Sequence, residues 1–289
     1  MFRRPMDFAG SWYPRDGEAC LREIERLGAQ HLPQHVPVAP RFGVVPHAGW
    51  MYSGALAARV FQVLSLGAPV DVVVLLGGHL HRDAGLVAMA EGEWETPLGP
   101  FVVHTGFRPE LEAFPDTQLE DESWSEADNS LEVPLPFARH AFPGAELLPL
   151  RVPPGPLAQE VGRRLAAYVQ QTGLRVAGIA STDLTHYGPS YAFEPRGRGE
   201  AAVRWVREEN DPHFIHALES GSSAAILESA RRQRNACSAG AAAALNEVVR
   251  LLAPPGHLAR FHSLGYATSL DAKVEPSLNF VGYVGGVYA

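Results

Sequence analysis

The chain has 289 residues, 46% hydrophobic and 19% charged, which is enough to bury a sizeable core. Its net charge of −8 argues against a nucleic-acid-binding surface. No apolar run of about 18 residues marks a membrane span, no early apolar stretch follows Arg3 and Arg4, and two cysteines are too few for a disulfide framework, so a cytoplasmic setting is expected.

An amphipathic first helix carries Cys20, which reads as a buried, inert thiol. Phe42–Pro46 reads as a short strand, followed by a glycine-containing loop and a helix over Ser53–Leu64. Val70–Leu76 is a continuous apolar run of the kind found in a strand buried on both faces. Leu86–Met89 and Phe101–His104 are shorter strands around the turn at Thr96–Pro100, and Ala145–Val152 is a further strand. Leu157, Val161, Leu165 and Val169 repeat at helical spacing through Leu157–Gln171, and Gly173 stops that helix. Leu174–Ala180 is the next buried strand. Helices are expected over Ala201–Glu209, Asp211–Ser220, Ser222–Arg232 and Ala239–Leu252, and strands over Arg260–Ser269 and Phe280–Tyr288. This alternation predicts one α/β domain over residues 1–289, with a mixed or parallel central sheet covered by helices on both faces. Arg231, Arg232 and Arg234 read as a solvated helix end, with a contact to an anionic ligand as the alternative.

Three histidine stretches follow the apolar runs: Pro46-His47-Ala48-Gly49, Gly77-Gly78-His79-Leu80-His81 and Ser181-Thr182-Asp183-Leu184-Thr185-His186. In α/β sheets, ligands collect at the carboxyl ends of the strands, where these residues fall. Side chains two apart on an extended segment share a face, so spacing alone does not choose between His79 and His81. A helix beginning at Asp183 would put Asp183 and His186 on one face, suited to metal support or acid–base work; an N-cap role for Ser181, Thr182 or Asp183 is the plainer reading. Cys237 precedes the Ala239–Leu252 helix, and a thiol at a helix N-terminus favours the thiolate, the form that attacks or binds metal. Glu132, in Ser130-Leu131-Glu132, is either paired and functional or on a wet face. His31, His35, His104, His140, His213, His216, His257 and His262 read as structural or exposed.

These residues, taken in order, resemble the Memo family, known in microbes as AmmeMemoRadiSam system protein B. The likeness runs from Ala9-Gly10-Ser11-Trp12-Tyr13-Pro14 through Pro46-His47-Ala48-Gly49 with Tyr52-Ser53-Gly54, then Thr96-Pro97-Leu98-Gly99 and Ser130-Leu131-Glu132 with Leu135-Pro136-Phe137. It continues through Ser181-Thr182-Asp183 with His186, then Cys237, Gly265–Ser269 and Gly282–Gly286. The resemblance implies a single Memo-like domain with the fold of class III extradiol dioxygenases. It also implies a metal held by His47, a histidine of the Gly77–His81 loop (His79 or His81) and Cys237, with Asp183 and His186 as the additional acid and histidine. Iron is the metal it favours, with copper or zinc compatible with the donors. Three departures stand out: the Gly-Gly-His-Leu-His loop replaces the usual Gly-Pro-Ser/Asn-His, Asp128-Asn129 replaces a Glu-His pair near the pocket, and Cys237 is followed by Ser-Ala-Gly.

The function expected first is a non-haem, metal-dependent oxidoreductase, dioxygenase-like, acting on a small molecule, with Asp183 and His186 orienting substrate, O2 or a proton. The second expectation is a metal-carrying or peptide-binding protein using the same pocket, with a radical-SAM partner implied by the resemblance. The third is a hydrolase using Cys237 as nucleophile.

Overall fold

The computed structural model describes residues 2–29, 40–254, 256, 259–272 and 278–289. His31, His35 and His257 lie outside them. Four parallel strands form the centre of a nine-stranded sheet, in the order Phe42–Val45, Val176–Ser181, Val72–Gly77 and Glu146–Arg151. On one side Phe280–Tyr288 joins Phe42–Val45 antiparallel, and it also pairs with Phe261–Thr268 and with the short strand His186–Tyr187. On the other side Val87–Met89 pairs antiparallel with Glu146–Arg151 and parallel with Gln118–Glu120. The architecture is therefore the mixed α/β sheet flanked by helices that the sequence predicts.

The uninterrupted apolar runs form strands because each face of the sheet has its own core. Val72, Val74 and Leu76 face one core together with Val161, Leu165 and the buried alanines Ala241–Ala244 of the helices Pro156–Thr172 and Ala239–Leu252. Val73 and Leu75 face the other, with Val60, Phe61 and Ile24 of the helices Trp50–Ser65 and Gly17–Gly28. The period-two alternation of a strand is thus present, but with apolar residues in both registers. Gly173, at φ 69°, ends the Pro156–Thr172 helix in the left-handed region, as expected of a C-terminal glycine. Among the described residues no helix is long and apolar enough to cross a membrane.

Two expectations fail locally. No helix begins at Asp183. The segment stays extended because Leu184 N–H donates to Gly282 O (2.8 Å) and Gly282 N–H to Thr185 O (3.0 Å), binding it to the Phe280–Tyr288 strand instead. Asp183 and His186 therefore share no helical face, and the N-cap reading falls with the helix. The second failure is between the helices read as Ala201–Glu209 and Asp211–Ser220, where a π-helical turn, Val206–Asn210, links Glu200–Trp205 to Asp211–Glu219. A small separate sheet, Arg3–Arg4 with Glu93–Trp94 and Phe101–Val102, was also not read from the sequence beyond Phe101. Its Arg4 is buried against Glu120 and the ring of Trp94, and Arg151 reaches the same Glu120 at 2.9 Å.

Candidate metal centre

Three parallel strands deliver their chemistry at their carboxyl ends. His47 follows Phe42–Val45, His79 follows Val72–Gly77, and Ser181 ends the strand that leads to Asp183. Cys237 comes from the loop before Ala239–Leu252. His47 is 1% exposed. Its Nδ1 lies 2.9 Å from Ser181 Oγ, which leaves Nε2 facing the site, 3.2 Å from His79 Nε2 and 3.2 Å from Cys237 Sγ. The donors of His47, His79 and Cys237 all lie within 4.8 Å of one another.

The loops are locked together by main-chain contacts. His47 N–H donates to Asp183 Oδ1 (2.8 Å), Cys237 N–H to Asp183 O (3.2 Å), Asp183 N–H to Cys237 Sγ (3.2 Å) and Ser238 N–H to Thr182 Oγ1 (3.1 Å). Burial lowers the basicity of the His47 imidazole, but the negative charge available on Cys237 and Asp183 outweighs it, so the net shift is upward. His186 shifts the other way: burial holds its pKa below the ordinary value, with Asp183 opposing. Its Nδ1 can only donate to the carbonyl of Leu184 (3.1 Å), so Nε2 carries the lone pair. No hydrogen bond reaches His186 Nε2 among the described residues, and the ring lies beside Tyr191 at an edge-on 4.9 Å.

Among the described residues, one of the two loop histidines lies in the cluster. His79 joins the cluster, while the side chain of His81 is 82% exposed and 3.8 Å from Asp83. Gly78 takes φ 106°, a turn that breaks the extended run and removes the shared face expected of the two histidines. A side chain on Gly77 would collide with Ser130 Oγ, which itself accepts from Gly78 N–H at 2.6 Å, and one on Gly78 would meet Arg151, so the short helix Asn129–Glu132 and the neighbouring strand leave no room at either glycine.

A pocket of about 1390 Å³ opens beside the cluster, lined in part by His47, His79, Asp183, His186 and Asn129. Asn129 Nδ2 donates to His47 O (3.3 Å), so the asparagine at the departure from the family pattern supports the first histidine. Glu132 is wholly buried and pairs with the N-terminal arm: Asp7 N–H, Phe8 N–H and the Tyr13 hydroxyl all donate to it, at 2.7–2.9 Å. Burial raises its pKa, and these donors oppose the shift. Arg231 and Arg232 pair with Glu228 on their own helix, and Arg234 donates to Ala192 O and Tyr191 O, holding the segment that carries Tyr191. Cys20 is fully buried, and burial pushes its thiol up to about 12. His104, between Glu146 (2.5 Å) and Tyr168 (2.8 Å), is remote from the cluster in its own hydrogen-bonded group. Tyr191 and Tyr283 also line the pocket, and neither was picked out from the sequence. Tyr283 lies within the strand Phe280–Tyr288, whose residues are buried throughout, so no alternation marks the face it presents.

This is a mixed α/β protein with two imidazoles and a thiol gathered where parallel strands end over a cavity. The sequence profile described as Memo-like protein matches residues 4–287. The chain is 34% identical over 207 residues to MEMO1 family protein MTH_45 of Methanothermobacter thermautotrophicus, covering 68% of this chain and 74% of that one. It is 31% identical over 292 residues to MEMO1 family protein MK0963 of Methanopyrus kandleri, covering 97% and 96%. An uncharacterized Escherichia coli K12 protein of known structure, JW3007, aligns with TM-score 0.48 and 16% identity over 83% of this chain and 98% of its own. The chain belongs to the Memo family.

Proposed function

We propose that His47, His79 and Cys237 hold one transition-metal ion and that the protein is a non-haem, dioxygenase-like oxidoreductase acting on a small molecule. The observation that supports this reading best is the spacing of the three donors. Ring nitrogens and a thiol packed 3.2 Å apart need a shared proton or a shared cation between them. Tetrahedral ligands about 2.1 Å (N) and about 2.3 Å (S) from an ion sit at comparable separations. Ser181 at His47 Nδ1 provides the outer hydrogen bond that fixes a ligating imidazole. Iron fits the donor set, with copper or zinc as alternatives.

A bound ion would supply Lewis acidity and, for iron or copper, one-electron redox chemistry. The chain's own groups do the rest. His186 Nε2 takes a proton from a substrate hydroxyl or amine in the pocket. Asp183 orients the reacting molecule through Oδ2, while its Oδ1 fixes the His47 backbone.

The test is metal analysis of protein purified without chelators or a metal-affinity tag. About one ion per chain is expected for the native protein and Cys20→Ser, and at least a ~100-fold loss of affinity for Cys237→Ser and for His79→Ala. Equal metal content in Cys237→Ser and Cys20→Ser would remove the centre. The 3.2 Å Cys237–His47 contact also fits a thiol–imidazole nucleophile, the hydrolase expectation. Alkylation separates the two: metal that protects Cys237 from iodoacetamide eliminates the nucleophile.

A further inference from the structure

The wall of the pocket is aromatic, with Trp12, Tyr52, Tyr191, Phe280 and Tyr283 among its lining side chains. Among the described residues that line it, the charged ones are Glu23 and Asp183, with no lysine or arginine. Glu23 is already committed, forking onto Arg26 at 2.7 and 2.8 Å. Asp183 is different. It is 3% exposed, yet its Oδ2 accepts no hydrogen bond among the described residues, and His47 Nε2 stands 3.9 Å from it. The phenols of Tyr191 and Tyr283 lie close enough to Asp183 to feel its charge, and Tyr52 lies close enough to act on both.

An acceptor that faces a cavity with no protein donor is available to a donor on a ligand, in exchange for water. A carboxylate at low dielectric repels anions and attracts cations more strongly than it would in water. The faces of aromatic rings carry negative potential, so in the metal-free pocket a carboxylate with tyrosines beside it presents two features that favour an organic ammonium over a carboxylate. We propose that the pocket selects a small molecule bearing a protonated amine, its ammonium donating to Asp183 Oδ2 and its apolar body lying against Tyr52, Tyr191 and Tyr283. This names a substrate class for the metal centre proposed above and rests on that reading for any reaction that follows binding. The charge preference itself belongs to the pocket.

The experiment is calorimetric titration of the full chain near neutral pH, once metal-free and once loaded anaerobically with iron(II). The probes are 2-phenylethylamine, 2-phenylethanol and 3-phenylpropanoate, which differ mainly in charge. In the metal-free form the amine is expected to bind about ten-fold more tightly than the alcohol, with the acid weakest; in the iron-loaded form the amine should keep its preference over the alcohol. Asp183→Asn should bring amine and alcohol to within about three-fold of each other, and Tyr191→Leu, which leaves Asp183 in place, should weaken the amine more than the alcohol. The proposal is overturned if the acid matches or exceeds the amine in the metal-free form, if the amine shows no binding, or if Asp183→Asn keeps the full preference. Should Asp183→Asn fail to fold, the ladder of three probes on the native protein decides the matter. An amine preference in a protein that binds no metal would remove the metal centre and leave this inference standing. Stoichiometric metal without the preference would do the reverse.

Discussion

Glu132 and Asp183 are both buried carboxylates, yet the protein satisfies them very differently. Glu132 has its acceptors filled by Asp7 N–H, Phe8 N–H and the Tyr13 hydroxyl, so it pins the N-terminal arm that carries Trp12 to the pocket wall. Asp183 spends one oxygen on His47 N–H and leaves the other toward the cavity. Burial of an acid is therefore no guide to its role. What separates a structural carboxylate from a reactive one is whether its hydrogen-bonding capacity is exhausted inside the protein.

Removing Glu132 should have the largest effect. Glu132→Ala strands three donors in a water-poor interior and should cost about 3–5 kcal/mol of folding stability. Denaturant unfolding checks it, and a loss below about 1 kcal/mol would mean the arm is held by other contacts. Metal content of the folded fraction should be unchanged, since no atom of Glu132 is among the three donors.

Asp211 sharpens the same contrast through pH. Burial pushes its carboxyl up to about 6, against hydrogen bonds from Thr185 and Tyr266 that pull the other way. A raised carboxyl pKa means the folded state holds the proton more tightly than the unfolded one. Its stabilising contribution is therefore present below the unfolded value near 3.8 and is lost as pH rises through about 6. Relative to Asp211→Asn, the native protein should lose about 3 kcal/mol across that interval. A pH-independent difference between the two would show that Asp211 titrates alike folded and unfolded. Asp183→Asn should be gentler still on the fold, within about 1 kcal/mol, because the asparagine oxygen can keep the bond from His47 N–H. A loss comparable to that of Glu132→Ala would place Asp183 among the structural acids and undo the distinction.

Much of this was legible in the sequence because it rests on local signals. Val70–Leu76 and Leu174–Ala180 read as strands since a core on each face demands apolar residues in both registers, and Phe280–Tyr288 and Ala239–Leu252 were bounded correctly by the residues that flank them. His47 and Cys237 were visible as reactive side chains next to such elements. What escaped depended on partners far along the chain. The segment from Asp183 to His186 looked ready for a helix, but Gly282, about a hundred residues on, pairs with it as a strand. That glycine is fixed by Asp211, whose carboxylate oxygen a side chain at 282 would overlap. Nothing within the Ser181–His186 motif encodes either neighbour. Tyr191 and Tyr283 were missed for the same reason, since the pocket that gives them meaning is assembled from distant segments.

The smallest expected effect tests the finest distinction, between two histidines separated by one leucine. His81 is solvated and near only Asp83, so His81→Ala should alter stability by less than about 0.5 kcal/mol and leave metal content intact. His79 is also solvent-accessible, so its removal should be equally mild for the fold. The two variants are thus matched in burial and sequence context and differ in whether the imidazole reaches His47 Nε2. Measured side by side, equal thermal stability with metal lost only from His79→Ala would tie the loss to ligation rather than to a disturbed loop. Metal lost from both would instead mean that the turn at Gly78, which sets the two rings apart, rearranges when an ion binds.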